Sequence, residues 1–400
     1  MKRLLFAAIL LVASVAGAGD FITFPSFPTR GQGPFDKGAW WQSGLTFHAP
    51  FTDPNNPLYL AKGTGALSFT RATTAMRTAI DNGYLTVTPS GTLRIESNGA
   101  LIEGQRTNLV FYSEQLGLAA NWAATNVTVD NNTVQAPTGD NTAETLTATD
   151  ANGSVLSSIT GTVAAYTFSA YLKRKTGTGD VSVSADNTTG TVCTINASTW
   201  TRCADTATLT VAPYTPGIHI VTSGDAVYAF GGDAELGAFA SSYIPTTTAA
   251  VTRNADDLSI AASGNISGTV GTASATVTIS DVTTGATQVA LNNSHGATRL
   301  PIYHTSSNRL ALHDGASRVG PVWNTTASAK VATSWTGTTA LLCKDGAAST
   351  SATFDGNMDV GTTIHIGKLY DGTLPLFGNI KSLRIWSRAF TDAELQTISQ

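Results

Sequence analysis

From about residue 45 onward the chain is written in short runs in which apolar and polar residues alternate with period two. Leu67-Ser68-Phe69-Thr70-Arg71, Tyr84-Leu85-Thr86-Val87 and Thr92-Leu93-Arg94-Ile95-Glu96 come first. Similar runs follow at 127–129, 144–148, 166–172, 181–184, 199–203 and 226–230, then at 275–279, 309–313, 339–344, 363–367 and 377–386. A period of two sends successive side chains to opposite faces, so each run predicts a β-strand. The spacers carry turn chemistry, as in Asp81-Asn82-Gly83, Pro89-Ser90-Gly91 and Asp345-Gly346. Helical period is absent until the end of the chain. There Thr391-Asp392-Ala393-Glu394 places Thr at an N-cap and Glu three residues on, a capping box that predicts a short closing helix.

The runs group into a small β region at 45–105, a middle unit at 106–255 and a last unit at 256–400. About eight strands in the middle unit suit a two-sheet sandwich of jelly-roll type. The expected fold class is all-β: tandem antiparallel β-sandwiches with a small β region and an extended N-terminal arm. The N-terminus reads differently. Lys2-Arg3, an apolar stretch at 4–13 and Ala16-Gly17-Ala18 make residues 1–18 a signal-like hydrophobic leader. The stretch is shorter than the ~20 residues of a comfortable membrane span, so membrane contact is expected only through 1–18, and only if they are retained. Residues 19–44 are punctuated by Pro and Gly and read as an extended arm. Its Phe21, Phe24, Phe27 and Phe35, with Trp40 and Trp41, need burial that a neighbouring subunit would supply.

Composition supports the strands. Charged residues are 12% of the chain, about half the usual ~25%, and Thr, Ser, Ala, Asn and 38 Gly fill the balance. Thr accepts a half-solvated pleated surface and Gly accepts turn angles. Hydrophobic residues at 42%, in a patterned arrangement, exclude a disordered chain. A net charge of −4 gives no footprint for nucleic acid. Lys173-Arg174-Lys175 is a dense basic run, and the Thr176-Gly177-Thr178-Gly179-Asp180 after it makes a solvated turn the expected reading.

Cys193 and Cys203 flank a predicted hairpin and can face each other across adjacent strands. In an oxidising compartment they would form a disulfide; in a reducing one they would be two buried thiols. Cys343 sits in an apolar run and reads as core. No Cys pair has zinc spacing.

The sequence contains no G-x-S-x-G elbow, H-E-x-x-H pair, phosphate-binding loop or dinucleotide fingerprint. The six His are scattered, and the six Glu form no paired-carboxylate motif of the kind a glycosidase needs. No enzyme and no cofactor are expected. Asp256-Asp257 and Asp355-Gly356-Asn357-Met358-Asp359 offer oxygen ligands for a structural calcium, but without EF-hand spacing, so solvated turns are expected there. Sugar binding is the chemistry left open, because an exposed aromatic has an apolar body and polar rim suited to a pyranose ring. The candidates are Trp122, Tyr228, Trp323 and Trp335, whereas Trp200 and Trp386, inside strand patterns, read as core.

Two phrases frame the middle unit: Ile102-Glu103-Gly104-Gln105-Arg106-Thr107-Asn108-Leu109 before it and Ser242-Tyr243-Ile244-Pro245-Thr246, then Val251-Thr252-Arg253, at its end. With Tyr112-Ser113-Glu114, Ala136-Pro137-Thr138-Gly139, Tyr171-Leu172-Lys173 and Trp200-Thr201-Arg202 between them, this unit resembles the carbohydrate-binding-module-like jelly rolls of bacteriophage tail and fibre proteins. The last unit, through Lys344-Asp345-Gly346, Ile364-His365-Ile366-Gly367 and the 377–386 strand, resembles laminin-G-like, concanavalin A-like sandwiches. The resemblance implies a non-enzymatic virion surface protein (tail, fibre or decoration). It would be a homotrimer contacting other virion subunits and host cell-surface glycan. A secreted bacterial adhesin or lectin is the alternative, and a polysaccharide-degrading enzyme the weakest one. Arg106, Asn108, Tyr243 and Pro245 are expected to fix how the jelly roll is entered and left.

Overall fold

One strand, Gly378–Trp386, shows how the protein is assembled. Along one edge it pairs with Val270–Ile279. On its other edge it pairs first with Gly99–Ile102 and then with Leu45–Ala49. The change of partner falls at Ser382, in left-handed conformation at φ 57°, where the register against Val270–Ile279 slips between Ser274 and Thr276. The bulge bends the strand so that two separate segments can complete its free edge. This computed structural model describes residues 40–400 apart from 189, 211, 283–286 and 294–298. The expected leader, and the expected arm as far as residue 39, lie outside the described residues.

The strand pairing redraws the expected small β region. Leu45–Ala49, Arg94–Glu96 and Gly99–Ile102 join an eight-stranded sheet with Val270–Ile279, Ala329–Thr336, Thr339–Lys344, Thr350–Thr353 and Gly378–Trp386. Ser68–Thr70 joins the facing seven-stranded sheet through Asp257–Ala261. The last sandwich is therefore built from both sides of the middle unit. Its core holds Phe47, Phe69, Ile95 and Ile102 from the early segment beside Leu258, Ile302, Trp335 and Ile380 from the late one. Short strands at 45–102 have too little apolar surface for a core of their own, and burial against the later sheets supplies it.

The middle unit is inserted into that frame. Its two ends lie side by side, with Arg253 paired to Arg106 and Val251 to Asn108. One sheet is seven-stranded, in the order Thr201–Leu209, Ala164–Thr176, Ala226–Leu236, Ala143–Ala148, Val127–Val134, with Arg106–Asn108 and Val251–Arg253 added beside Ala226–Leu236. The other, five-stranded, has Gly217–Ile220 at its centre. Between them sits a second core including Trp122, Phe168, Leu172, Val181, Val227 and Ile218. The long strand Ala164–Thr176 shows the alternation at work: Phe168, Ala170 and Leu172 enter the core, while Tyr171 lies in a separate cluster on the outer face. The remaining hairpin, Ala75–Thr78 with Leu85–Thr88, lies on that outer face, where Met76 meets Phe230 and Tyr243. The closing helix Asp392–Ile398 carries the predicted capping box, and its Leu395 packs with Cys343, Trp386 and Phe390.

Candidate functional site

Where the insert leaves the frame, the framing phrases form a buried ion network. The Glu103 carboxylate lies 2.8 Å from Arg94 and 3.5 Å from Arg253, and it accepts hydrogen bonds from the Ser242 amide at 2.8 Å and hydroxyl at 2.6 Å. Burial alone would push this carboxyl up; the two guanidinium groups and the Ser242 bonds overcome it and hold Glu103 at about 2. Asp256 bridges Arg94 at 2.5 Å and Arg71 at 2.9 Å. Asn108 binds four backbone groups: it donates to Gly232 O and Ile244 O and accepts from the amides of Val110 and Ala234. The Tyr243 and Ser113 hydroxyls meet at 2.8 Å, and Thr246 donates its hydroxyl to Val110 O at 2.6 Å. These residues tie the two ends of the insert together and are consumed by doing so.

Beside the network a cleft of about 210 Å3 opens between the hairpin and the outer face of the jelly roll, lined by Met76, Arg77, Glu96, Tyr171, Arg202 and Ser242. Arg202 is fixed there by Ser169 at 2.9 Å, Asp233 at 3.2 Å and the Ser241 carbonyl, with its guanidinium over the Tyr171 ring. Burial, with Glu235 nearby, pushes the Asp233 carboxyl well up. Glu96 is held by the Thr78 amide at 2.7 Å and by Asn379. The Arg202 guanidinium and the Glu96 carboxylate thus each already have protein partners. A different buried carboxyl, Glu144, is pushed up to about 8 by burial, with Glu114 adding a like charge.

Farther along the same face the covering is partial. Tyr228 pairs with Lys173 on one side and Thr145 on the other, and Thr145 pairs with Asp130. The Lys173 ammonium lies 4.9 Å from the Trp200 ring centre and 5.3 Å from that of Tyr228, and the Lys175 ammonium 5.8 Å from Tyr228. Both rings are half-buried. Arg174, on the alternate face, pairs with Asp225 at 3.5 Å and donates to Gly179 O. The basic run is therefore the end of the strand Ala164–Thr176, not the expected solvated turn. Trp200, expected in the core, stands on the outer face for the same reason: it precedes Thr201, which pairs with Leu172, and so falls beside Lys173. The alternation of Tyr171, Lys173 and Lys175 was the available signal, and the following Gly-Thr-Gly run masked it.

Three of the four aromatic candidates are removed from solvent. Trp122 is 1% exposed, and Trp323 and Trp335 are fully buried. Trp122 opens a strand by entering the core, with its indole donating to Tyr112 O at 3.1 Å and its ring against Gly232. Trp323 follows an edge strand, but its amide donates to Asn308 O at 2.8 Å, and its ring folds edge-on to His304. Trp335 lies on an inner face, donating to Ser267 O at 3.2 Å and packed on Gly271. A turn neighbour in sequence did not imply an exposed ring, because the turn reverses the chain while the indole points inward. Tyr228 alone of the four keeps an accessible face.

The Cys193 and Cys203 sulfurs are joined as a disulfide, with Cα atoms 5.9 Å apart, and Cys343 is a buried free thiol. Asp256 is buried in its ion pairs and is not a solvated turn residue; Asp257 pairs with Lys368 at 2.9 Å and Asp355 with Arg299 at 3.4 Å. Among the described residues no group of three or more His, Cys, Asp or Glu is arranged to hold a metal ion.

No protein-family model matches the chain, and no curated protein matches it. Similar solved structures are β-sandwich domains. Domain 4 of the extracellular arabinanase AbnA from Geobacillus stearothermophilus, in complex with arabinotriose, is 19% identical over 41% of this chain and 81% of its own, at a TM-score of 0.31. The tandem CBM22 domains of Xyn10C from Paenibacillus barcinonensis are 12% identical over 70% of this chain and 97% of their own, at 0.25. A heptameric SAP-like pentraxin from Limulus polyphemus is 12% identical over 33% of this chain and 70% of its own, at 0.26. At such scores the functional reading rests on this chain's own residues.

Proposed function

We propose that this is a non-enzymatic surface protein that binds carbohydrate through the outer face of the jelly roll's seven-stranded sheet. The observation that carries this reading is the row Trp200, Lys173 and Tyr228, two half-buried rings flanking one ammonium on the outer face, with the exposed Thr133 beyond them bonded at 2.7 Å to the buried Thr145. Flat rings with polar rims stack on sugars, and hydroxyls exchange hydrogen bonds with them. The particle we favour is a bacteriophage virion, with the protein as a trimeric tail, fibre or decoration component, supported by the framing phrases and their tying role. A secreted adhesin or lectin is the second reading, favoured by the signal-like leader and by the disulfide, which belongs to an oxidising compartment.

A glycan array with the wild type and Tyr228→Ala tests the binding face. Binding that Tyr228→Ala weakens supports it; undiminished binding in the variant removes it. Mass analysis of the N-terminus separates the two settings. An intact Met1 in assembled particles supports the virion, and a start at Gly19 supports secretion.

A further inference from the structure

We infer that the ligand of this face is an anionic polysaccharide, with Lys173 and Lys175 meeting acid groups of the chain while Tyr228 and Trp200 carry its rings. This rests on the glycan-binding reading above and adds the charge class. Among the described residues neither ammonium is in a salt bridge, although Arg174 between them is paired with Asp225. The protein carries a net charge of −4, so acidic partners are not scarce, yet among the described residues none is within ion-pair distance of either ammonium. What holds Lys173 instead is two aromatic rings, 4.9 and 5.3 Å from the ammonium. Ring faces orient a cation without neutralising it, which leaves its charge and N–H donors available to a ligand. A neutral glycan laid across this row would desolvate two ammonium groups with no compensating charge, whereas carboxylates or sulfates would supply it. Across the sheet the row continues through Thr145 and ends at Asp130, exposed on the far strand.

The test measures binding of polygalacturonate, hyaluronate and polysialate, each beside its carboxyl-reduced form, and of heparin beside its desulfated form. The expected result is that at least one acidic chain binds, that removing its acid groups weakens it at least fivefold, and that added salt weakens it further. The double variant Lys173→Gln/Lys175→Gln should lose roughly fivefold for the acidic chain, at an unchanged melting temperature, since surface charge pairs are individually modest. Equal binding of the acid-free forms overturns the inference, as does an unchanged affinity in the double variant. Tighter binding of poly-glutamate or of oligo-thymidylate also overturns it. Neutral glycans bound and lost in Tyr228→Ala, with acidic forms no better, would leave the carbohydrate reading standing and remove this one. Failure of every glycan to bind would remove both.

Discussion

Arg94 and Asp256, 162 residues apart in sequence, meet at 2.5 Å inside the protein, on opposite sides of the inserted jelly roll. Arg94 belongs to the early segment of the frame, and Asp256 stands at the return from the insert. Their contact, shared with Glu103, Arg71 and Arg253, closes the frame around the insert's two ends.

Removing one partner of such a pair leaves the other charged and buried, which typically costs about 3–5 kcal/mol. Asp256→Ala, which takes away the carboxylate paired with Arg71 and one of the two paired with Arg94, should lower stability by that order in urea unfolding. A loss under about 1 kcal/mol would show that the network does not hold the frame together.

Glu144 carries the opposite signature. Its carboxyl is raised from 4.5 to about 8 in the folded protein, so over that window the unfolded chain has released a proton that the folded one keeps. The contribution of Glu144 to stability is therefore full below about pH 4.5, falls as pH rises towards 8 and then levels. Glu144→Gln should flatten the melting temperature between pH 5 and pH 8 (roughly the window above) and raise it at the upper end. Parallel profiles for variant and wild type would refute the assignment.

The buried tryptophans should behave as core. Trp335→Ala should cost about 3–5 kcal/mol, through lost burial and the cavity left against Gly271. Trp122→Phe should leave glycan affinity per folded molecule unchanged. A Trp122→Phe variant that keeps its melting temperature but loses binding would return that ring to the ligand site.

The disulfide joins residues 10 apart, a short closed loop, and Cys193→Ser/Cys203→Ser should cost about 2–3 kcal/mol. Thiol titration of the unfolded, unreduced protein should find only Cys343 reactive. Three reactive thiols would mean that the pair is reduced in the source.

Much of the local structure was legible. Period-two alternation located about half of the strands, and Thr391 with Glu394 located the helix, because both signals arise from neighbouring residues. The framing phrases meet in the fold, where Asn108 bonds to Ile244 O and Tyr243 to Ser113. What alternation cannot carry is which face of a strand is covered, or by which distant segment. Trp122 and Trp323 entered cores that their turn neighbours did not announce, while Trp200 and Lys173 stayed on an outer face that the hairpin at 75–88 only partly covers.

The sequence by itself determined the class of fold, the place of about half of the strands, and the cap of the closing helix. The tertiary structure alone decided that 45–102 and 257–386 share one sandwich, that Asp256 is buried, and that Lys173 lies between two rings. The reason is physical. Strand propensity and capping act within a few residues, whereas pairing partner and burial depend on apolar surface and charge brought together across the whole chain.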